Sequence, residues 1–231
     1  MKIDSRKELI LLVLVKEYIK TAQPVSSGFL VEKYKLGISS ATARNEMAEL
    51  EELGYIYQPH TSSGRIPTEK AYNYYIENDL EEQKIKKDDL KELEEVFDFS
   101  EEGFKKVAKL MADFSKNAVF WAFHKNNLYY TGISNLFIQP EFRQNDLVCN
   151  VSSIIDRMEE IIGEIFDQLN LGEKIFIGEK NPFGGFLSTV LLKYEKDNQR
   201  GVVGLLGPMR MDYEKNLSLI YYLKNKLGDK S

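Results

Sequence analysis

Apolar residues recur at helical spacing through the first third of the chain and at strand spacing through much of the last half. The run Leu9 to Val15, continued by Tyr18 and Ile19, predicts a first helix from Ser5 to about Lys20. Ser5 and Glu8 have the spacing of a capping box, and Thr21-Ala22-Gln23-Pro24 stops the helix. It is apolar nearly all round at its start, so it is expected at the centre of a core. Ser26 or Ser27 caps a short second helix, with Phe29, Leu30 and Tyr34 on its expected buried side, and Gly37 supplies a positive φ in the turn after it. Ser39 or Ser40 caps a third helix. There Ala43, Met47 and Leu50 form an inward stripe, and Ala41, Asn45, Ala48 and Glu52 occupy the opposite face. Gly54 ends that helix, Tyr55 to Gln58 read as a short strand, Pro59 to Gly64 as a polar loop, and Arg65-Ile66 as the returning strand. Pro67 and Thr68 open a fourth helix with Tyr72, Tyr75 and Ile76 on one side.

Residues 77–95 are dominated by charge and predict a solvated helical linker. Ser100 then caps a helix carrying Phe104, Val107, Ala108, Met111 and Phe114. Strands are predicted at Ala118–Phe123 and Leu128–Ile133, with Trp121 buried, and a long helix at Leu147–Leu169, closed by Gly172. Lys174–Gly178, Leu187–Lys193 and Arg200–Leu206 are further strands, the last two joined through Asp197-Asn198, and a final helix spans Asp212–Leu227. Strand pairs with short connections, mixed with helices, predict an α+β fold on a mainly antiparallel sheet. The expected organisation is a winged helix-turn-helix domain over residues 1–78, a charged helical linker over 79–99 and a second domain over 100–231.

Composition narrows the possible functions. The 231 residues carry a formal net charge of -5, which argues against tight non-specific nucleic-acid binding, since that depends on many Lys and Arg contacts to phosphate. A specific binder remains open, because it can concentrate charge locally and pair with a second copy. The single cysteine, Cys149, permits no internal disulfide and is expected to be a packing residue; with only two histidines no metal site is expected. The N-terminus lacks a signal-peptide layout and the early apolar run is far too short to span a bilayer, so a cytoplasmic protein without membrane partner is expected.

Helix, short helix, glycine-bearing turn and helix is the order of a helix-turn-helix, and the polar hairpin after it has the character of a wing. The third helix suits a major groove. Ala41 and Ala48 permit close approach, Asn45 can pair with adenine in a bidentate manner, and Arg44 can read guanine or hold phosphate. Ser39, Ser40 and Thr42 lie at the helix N-terminus, where free N–H groups and the dipole favour phosphate. In the wing, Gln58, His60, Thr61, Ser62, Ser63 and Arg65 are suited to sugar-phosphate or minor-groove contact.

The stretch PVSSGFLVEKYKLGISSATARNEMAELEELGYIYQPHTSSGRIPTEKAYNYYI resembles the N-terminal region of the HrcA family, bacterial heat-inducible transcription repressors. Tyr130-Thr131-Gly132 with SNLFIQPEF, IGEKNP, and GVVGLLGPMRMDYEK resemble that family's C-terminal segments. The resemblance implies a winged helix, a GAF-like domain with a mainly antiparallel sheet, and a homodimer on an inverted-repeat operator upstream of chaperone operons. It also implies the chaperonin GroEL as the partner that keeps the repressor active. Typical family members are about a hundred residues longer, so the GAF-like domain here is expected to be truncated and to lack most of an inserted dimerisation region. The family usually has a larger aliphatic residue where this chain has Ala43.

Two other functions compete with repression. A small-molecule-sensing winged-helix regulator would use the loops Asn181 to Gly185 and Gly207-Pro208-Met209-Arg210 to line a ligand pocket in the GAF-like domain. An enzyme is not expected: His60 and His124 lie far apart in sequence, GxxxxGK[ST] and GxGxxG are absent, and GFLSTV does not match a nucleophile elbow.

Overall fold

A computed structural model describes residues 3–61, 63–81, 83–143 and 145–228, with side chains left undescribed at 143–149. It divides into two compact units, Met1–Leu80 and Glu81–Ser231. Ser62 and the side chain of Cys149 lie outside the described residues.

In the first unit, α1 (Ser5–Thr21) is the core helix, burying Ile10, Leu11, Leu14 and Val15. Its cap is Asp4 and not Ser5: the Asp4 carboxylate accepts from the N–H groups of Arg6 at 3.1 Å and Lys7 at 3.0 Å. Helix α2 (Ser27–Tyr34) is capped by Ser26, and α3 (Ser40–Glu52) by Ser39. Both α2 and α3 pack on α1 and on each other. Phe29, expected inside, is exposed; it sits about 100° round the helix from buried Leu30, beneath the ammonium of Lys33. The predicted stripe of Ala43, Met47 and Leu50 is fully buried. Gly54, at φ 76°, ends the helix and turns the chain into the two-residue strands β1 (Ile56–Tyr57) and β2 (Ile66–Pro67), which pair antiparallel. Helix α4 (Glu69–Asn78) follows and buries Ala71, Tyr72 and Tyr75.

A buried carboxylate ties α1 to α2. Glu17 is only 2% exposed and accepts from Lys33 Nζ at 2.6 Å and Tyr34 Oη at 2.8 Å. Burial alone raises its pKa, but the bonds from Lys33 and Tyr34 outweigh this and hold the carboxyl below its ordinary 4.5. The Tyr34 hydroxyl is pushed up to about 12, first by burial and then by its bond to Glu17.

The second unit begins inside the predicted linker. Helix α5 (Lys87–Val96) is not wholly solvated: Leu93 is buried, α5 packs on α6 (Glu101–Ser115), and Glu94 pairs with Lys226 at 2.7 Å. The sheet comprises β3 (Ala118–His124), β4 (Asn127–Thr131), β5 (Gly172–Ile177), β6 (Leu187–Lys196) and β7 (Gln199–Pro208), in the order β4-β3-β7-β6-β5, with every pairing antiparallel. Asp197 and Asn198 both take positive φ in the two-residue β6–β7 turn, as an I′ hairpin requires. Alternation along β3 sends Ala118, Phe120 and Ala122 to one core and Trp121 to the other, where its ring stacks on Phe104 and its Nε1 donates to Tyr194 Oη at 2.8 Å. Helices α6 and α10 (Tyr213–Leu227) cover the Trp121 side.

The opposite face holds three more helices, and two of them depart from expectation. Gly132, at φ 71°, turns the chain out of β4 so that Ile133 opens α7 (Ile133–Ile138) instead of ending a strand. The predicted long helix is two, α8 (Asn145–Asp156) and α9 (Met158–Phe166). Between them Arg157 (φ -103°, ψ 8°) leaves helical geometry, its N–H shared by the carbonyls of Ser153 and Ile154 at 3.2 Å.

Glu17 generates a pH prediction. A carboxyl whose folded pKa is depressed adds stability above its unfolded value and loses it as pH falls through the folded value. Glu17→Gln should therefore cost about 1–2 kcal/mol at pH 7 in urea unfolding of the intact chain. Below pH 4.5 the deficit against the parent should shrink; a deficit constant down to pH 3 would contradict the assignment.

Candidate nucleic-acid interface

The inward stripe of α3 fixes which residues point out. Ser39 is spent on capping: its hydroxyl accepts from Thr42 N at 3.0 Å and lies 2.9 Å from Thr42 Oγ1. Ser40, Ala41, Arg44 and Asn45 are exposed, and Thr42 and Ala48 are half-buried. Among the described residues, the side chains of Arg44 and Asn45 have no hydrogen bond or ion pair, which leaves an amide and a guanidinium free at neighbouring positions on the outer surface of the helix.

Helix α3 also carries four acids, Glu46, Glu49, Glu51 and Glu52, which would repel a phosphodiester backbone. Three are neutralised within the unit. Lys7 Nζ lies 3.1 Å from Glu46 and 2.9 Å from Glu49, and Arg6 adds a 3.2 Å contact to Glu46. The Lys7 ammonium is held well above its ordinary pKa by its bonds to Asp4, Glu49 and Glu46. Glu51 pairs with Arg65 Nε at 2.9 Å. Exposed Glu52, at the far end of the helix, has no ion-pair partner among the described residues. Positive charge available to a ligand therefore gathers near the N-terminal half of α3, at Arg44.

The wing holds itself together. Gln58 Nε2 donates to the carbonyls of Thr61 at 3.1 Å and Ser63 at 2.8 Å. The Ser63 hydroxyl accepts from His60 N at 3.1 Å and donates to His60 O at 2.7 Å. Val25 and Arg65 exchange both backbone hydrogen bonds, at 2.9 and 2.8 Å. A Cβ at Gly64 would lie 2.5–2.6 Å from the backbone of Val25, so only glycine permits that close approach. The predicted wing contacts thus separate into two groups. Gln58, Ser63 and Arg65 are engaged in shaping the hairpin, whereas His60 and Thr61 are exposed at its tip. Arg44, Ser26 and Thr61 line a cleft of about 390 Å³ between α3 and the wing. The partners of Glu51, Lys7 and Arg6 were not anticipated, because contacts between residues 14 to 42 positions apart leave no periodic trace in the sequence.

In the second unit, several residues of the loops proposed for a ligand pocket are tied into the fold. Asn181 is buried, and its Oδ1 accepts from Phe183 N and Thr189 Oγ1, both at 3.1 Å. Gly207 and Pro208 belong to β7, and Arg210 is held by Gln139 and Glu141. A cleft of about 1010 Å³ lies toward the opposite end of the β6–β7 hairpin, lined by Phe99, Phe104, Phe123, His124, Tyr194 and Arg200 among others. Among the described residues no cluster of His, Cys, Asp or Glu could hold a metal ion, and no helix is long and apolar enough to cross a membrane.

Comparison with known proteins agrees with this architecture. A solved structure described as a hypothetical protein superposes with a TM-score of 0.79 over 98% of both chains at 20% identity, which establishes the shared fold. The heat-inducible transcription repressor HrcA of Carboxydothermus hydrogenoformans is 26% identical, with 98% of both chains covered. That alignment runs over 334 positions, so roughly a hundred of them have no residue in this chain. The repressors of the same name from Desulforamulus reducens and Pelotomaculum thermopropionicum are 60% and 54% identical over 77 and 89 residues, covering 22% and 26% of their lengths. The family model for the HrcA protein C terminal domain matches residues 69–217. With that match across most of the chain, and a helix-turn-helix and wing ahead of it, the protein belongs to the HrcA family of heat-inducible transcription repressors.

Proposed function

We propose that this protein represses transcription as a homodimer on an inverted-repeat DNA operator upstream of chaperone operons, with the N-terminal half of α3 in the major groove. The observation that carries the reading is the unpartnered Arg44–Asn45 pair on the outward face of a helix whose other side is locked into a core. Asn45 reads a base edge, Arg44 holds a base or phosphate, Ala41 and Ala48 allow close approach, and Ser39, Ser40 and Thr42 present the helix N-terminus to phosphate. His60 and Thr61 bring the wing tip to the flanking backbone. The acids that would oppose this docking are paired with Arg6, Lys7 and Arg65 or lie toward the far end of the helix.

A pair of subunits follows from the same electrostatics. One α3 offers a single cation free of acid partners among its described residues, too little for tight binding by charge alone. Two copies double the base contacts and, spaced about 34 Å apart or a multiple of it, match a twofold repeat. The chaperonin GroEL, which the family resemblance brings, is the proposed effector, and the cytoplasm the proposed compartment.

Two measurements test the reading. In fluorescence anisotropy with an operator duplex at stated salt, Asn45→Ala should lose about 1–3 kcal/mol of discrimination between operator and scrambled DNA while its melting curve stays unchanged. Unaltered discrimination would remove Asn45 from the reading face. In equilibrium sedimentation with operator DNA at micromolar protein, the complex should contain two chains per duplex; one chain per duplex throughout would overturn the dimer.

A further inference from the structure

We propose that Arg65 is a positioning residue and not a DNA contact: its ion pair with Glu51 locks the wing to the recognition helix and sets where the wing tip meets DNA. This inference rests on the DNA-binding reading above and assigns a division of labour within it. Arginine at the end of a polar hairpin invites assignment to phosphate or the minor groove. Arg65 lines the cleft beside Arg44, yet its Nε is turned toward α3. The Arg65 side chain is 15% exposed, and its Nε donates to Glu51 Oε2 at 2.9 Å. The other oxygen of the same carboxylate accepts from Gln58 N at 3.0 Å. One acidic side chain on α3 therefore grips both strands of the wing, Gln58 just past β1 and Arg65 just before β2.

The rest of the hairpin is built around that grip. Arg65 and Val25 exchange both backbone bonds, which fastens the returning strand to the segment before α2. Gly64 lets the chain pass against Val25, and Gln58 closes the loop from inside through Thr61 O and Ser63 O. Among the described residues, the bonds that fasten the wing to the rest of the unit lie at its base, and the exposed tip residues His60 and Thr61 are carried on them. Helix and wing enter DNA as one body, so the angle between groove reading and backbone contact is fixed before binding, and its conformational cost is met during folding.

Glu51→Gln keeps the side-chain volume but sets an amide against the guanidinium. In the free protein, amide hydrogen exchange at Gln58, Arg65 and Val25 should quicken about tenfold or more in Glu51→Gln, as expected when a charge-assisted hydrogen bond is lost. On operator DNA, Glu51→Gln and Arg65→Ala should raise Kd by similar factors, and the double variant should be no worse than either alone. The slope of log Kd against log salt should match the parent in all three, whereas Arg44→Ala should flatten it by up to about 0.9 per subunit if Arg44 holds a phosphate. A slope flattened by Arg65→Ala, with Glu51→Gln binding as well as or better than the parent, would overturn the proposal and make Arg65 a phosphate ligand. Unchanged exchange at all three amides in Glu51→Gln would overturn it independently of DNA. Failure of the parent to bind any duplex specifically would sink the repressor reading instead, while the exchange experiment would still decide whether Glu51 locks the wing.

Discussion

Burial of Ala43, Met47 and Leu50 is the constraint on which the proposed DNA-binding face depends. Three residues at helical spacing, each fully buried against α1 and α2, leave α3 no rotational freedom about its axis. Once they are placed, Arg44 and Asn45 must point outward. A helix with a weaker stripe could roll and present Glu46 or Glu49 instead.

Charge is arranged around that geometry. The chain is acidic overall, and α3 itself is acidic, yet three of its four acids are paired with cations from elsewhere in the unit. Arg6 and Lys7, at the start of α1, cover Glu46 and Glu49, and Arg65 covers Glu51. The bulk charge of -5 is therefore a poor guide to what a phosphate would meet. Local pairing decides, because exposed charges separated by more than about 8 Å are largely screened at physiological salt.

Much of this was legible in the sequence, and the unreadable parts have a common cause. Periodicity exposed the α3 stripe, Gly54 and Gly64 marked the limits of the wing, and Asp197-Asn198 announced the hairpin between β6 and β7. These signals are local. Leu93 was hidden because charge dominates its surroundings, although it is buried where α5 packs on α6. The break at Arg157 has no proline or glycine to announce it. Whether Arg65 faces DNA or Glu51 depends on a tertiary contact, and so does the engagement of the Asn181 side-chain carbonyl by Phe183 and Thr189 and of Gly207 by strand pairing. Residue type suggested a site in each case; only the fold could show which side chains were free.

The second unit supplies a five-stranded antiparallel sheet between two helical layers, in a chain roughly a hundred positions shorter than its aligned relative. The account stands or falls on base reading by α3. The most direct measurement is selection of binding sites from random duplexes by the intact protein, run in parallel with Asn45→Ala. The parent should enrich an inverted repeat with half-sites about one helical turn apart or a multiple of it, and the variant should relax the same base position in both halves. Enrichment of no motif, or of one identical in parent and variant, would contradict it.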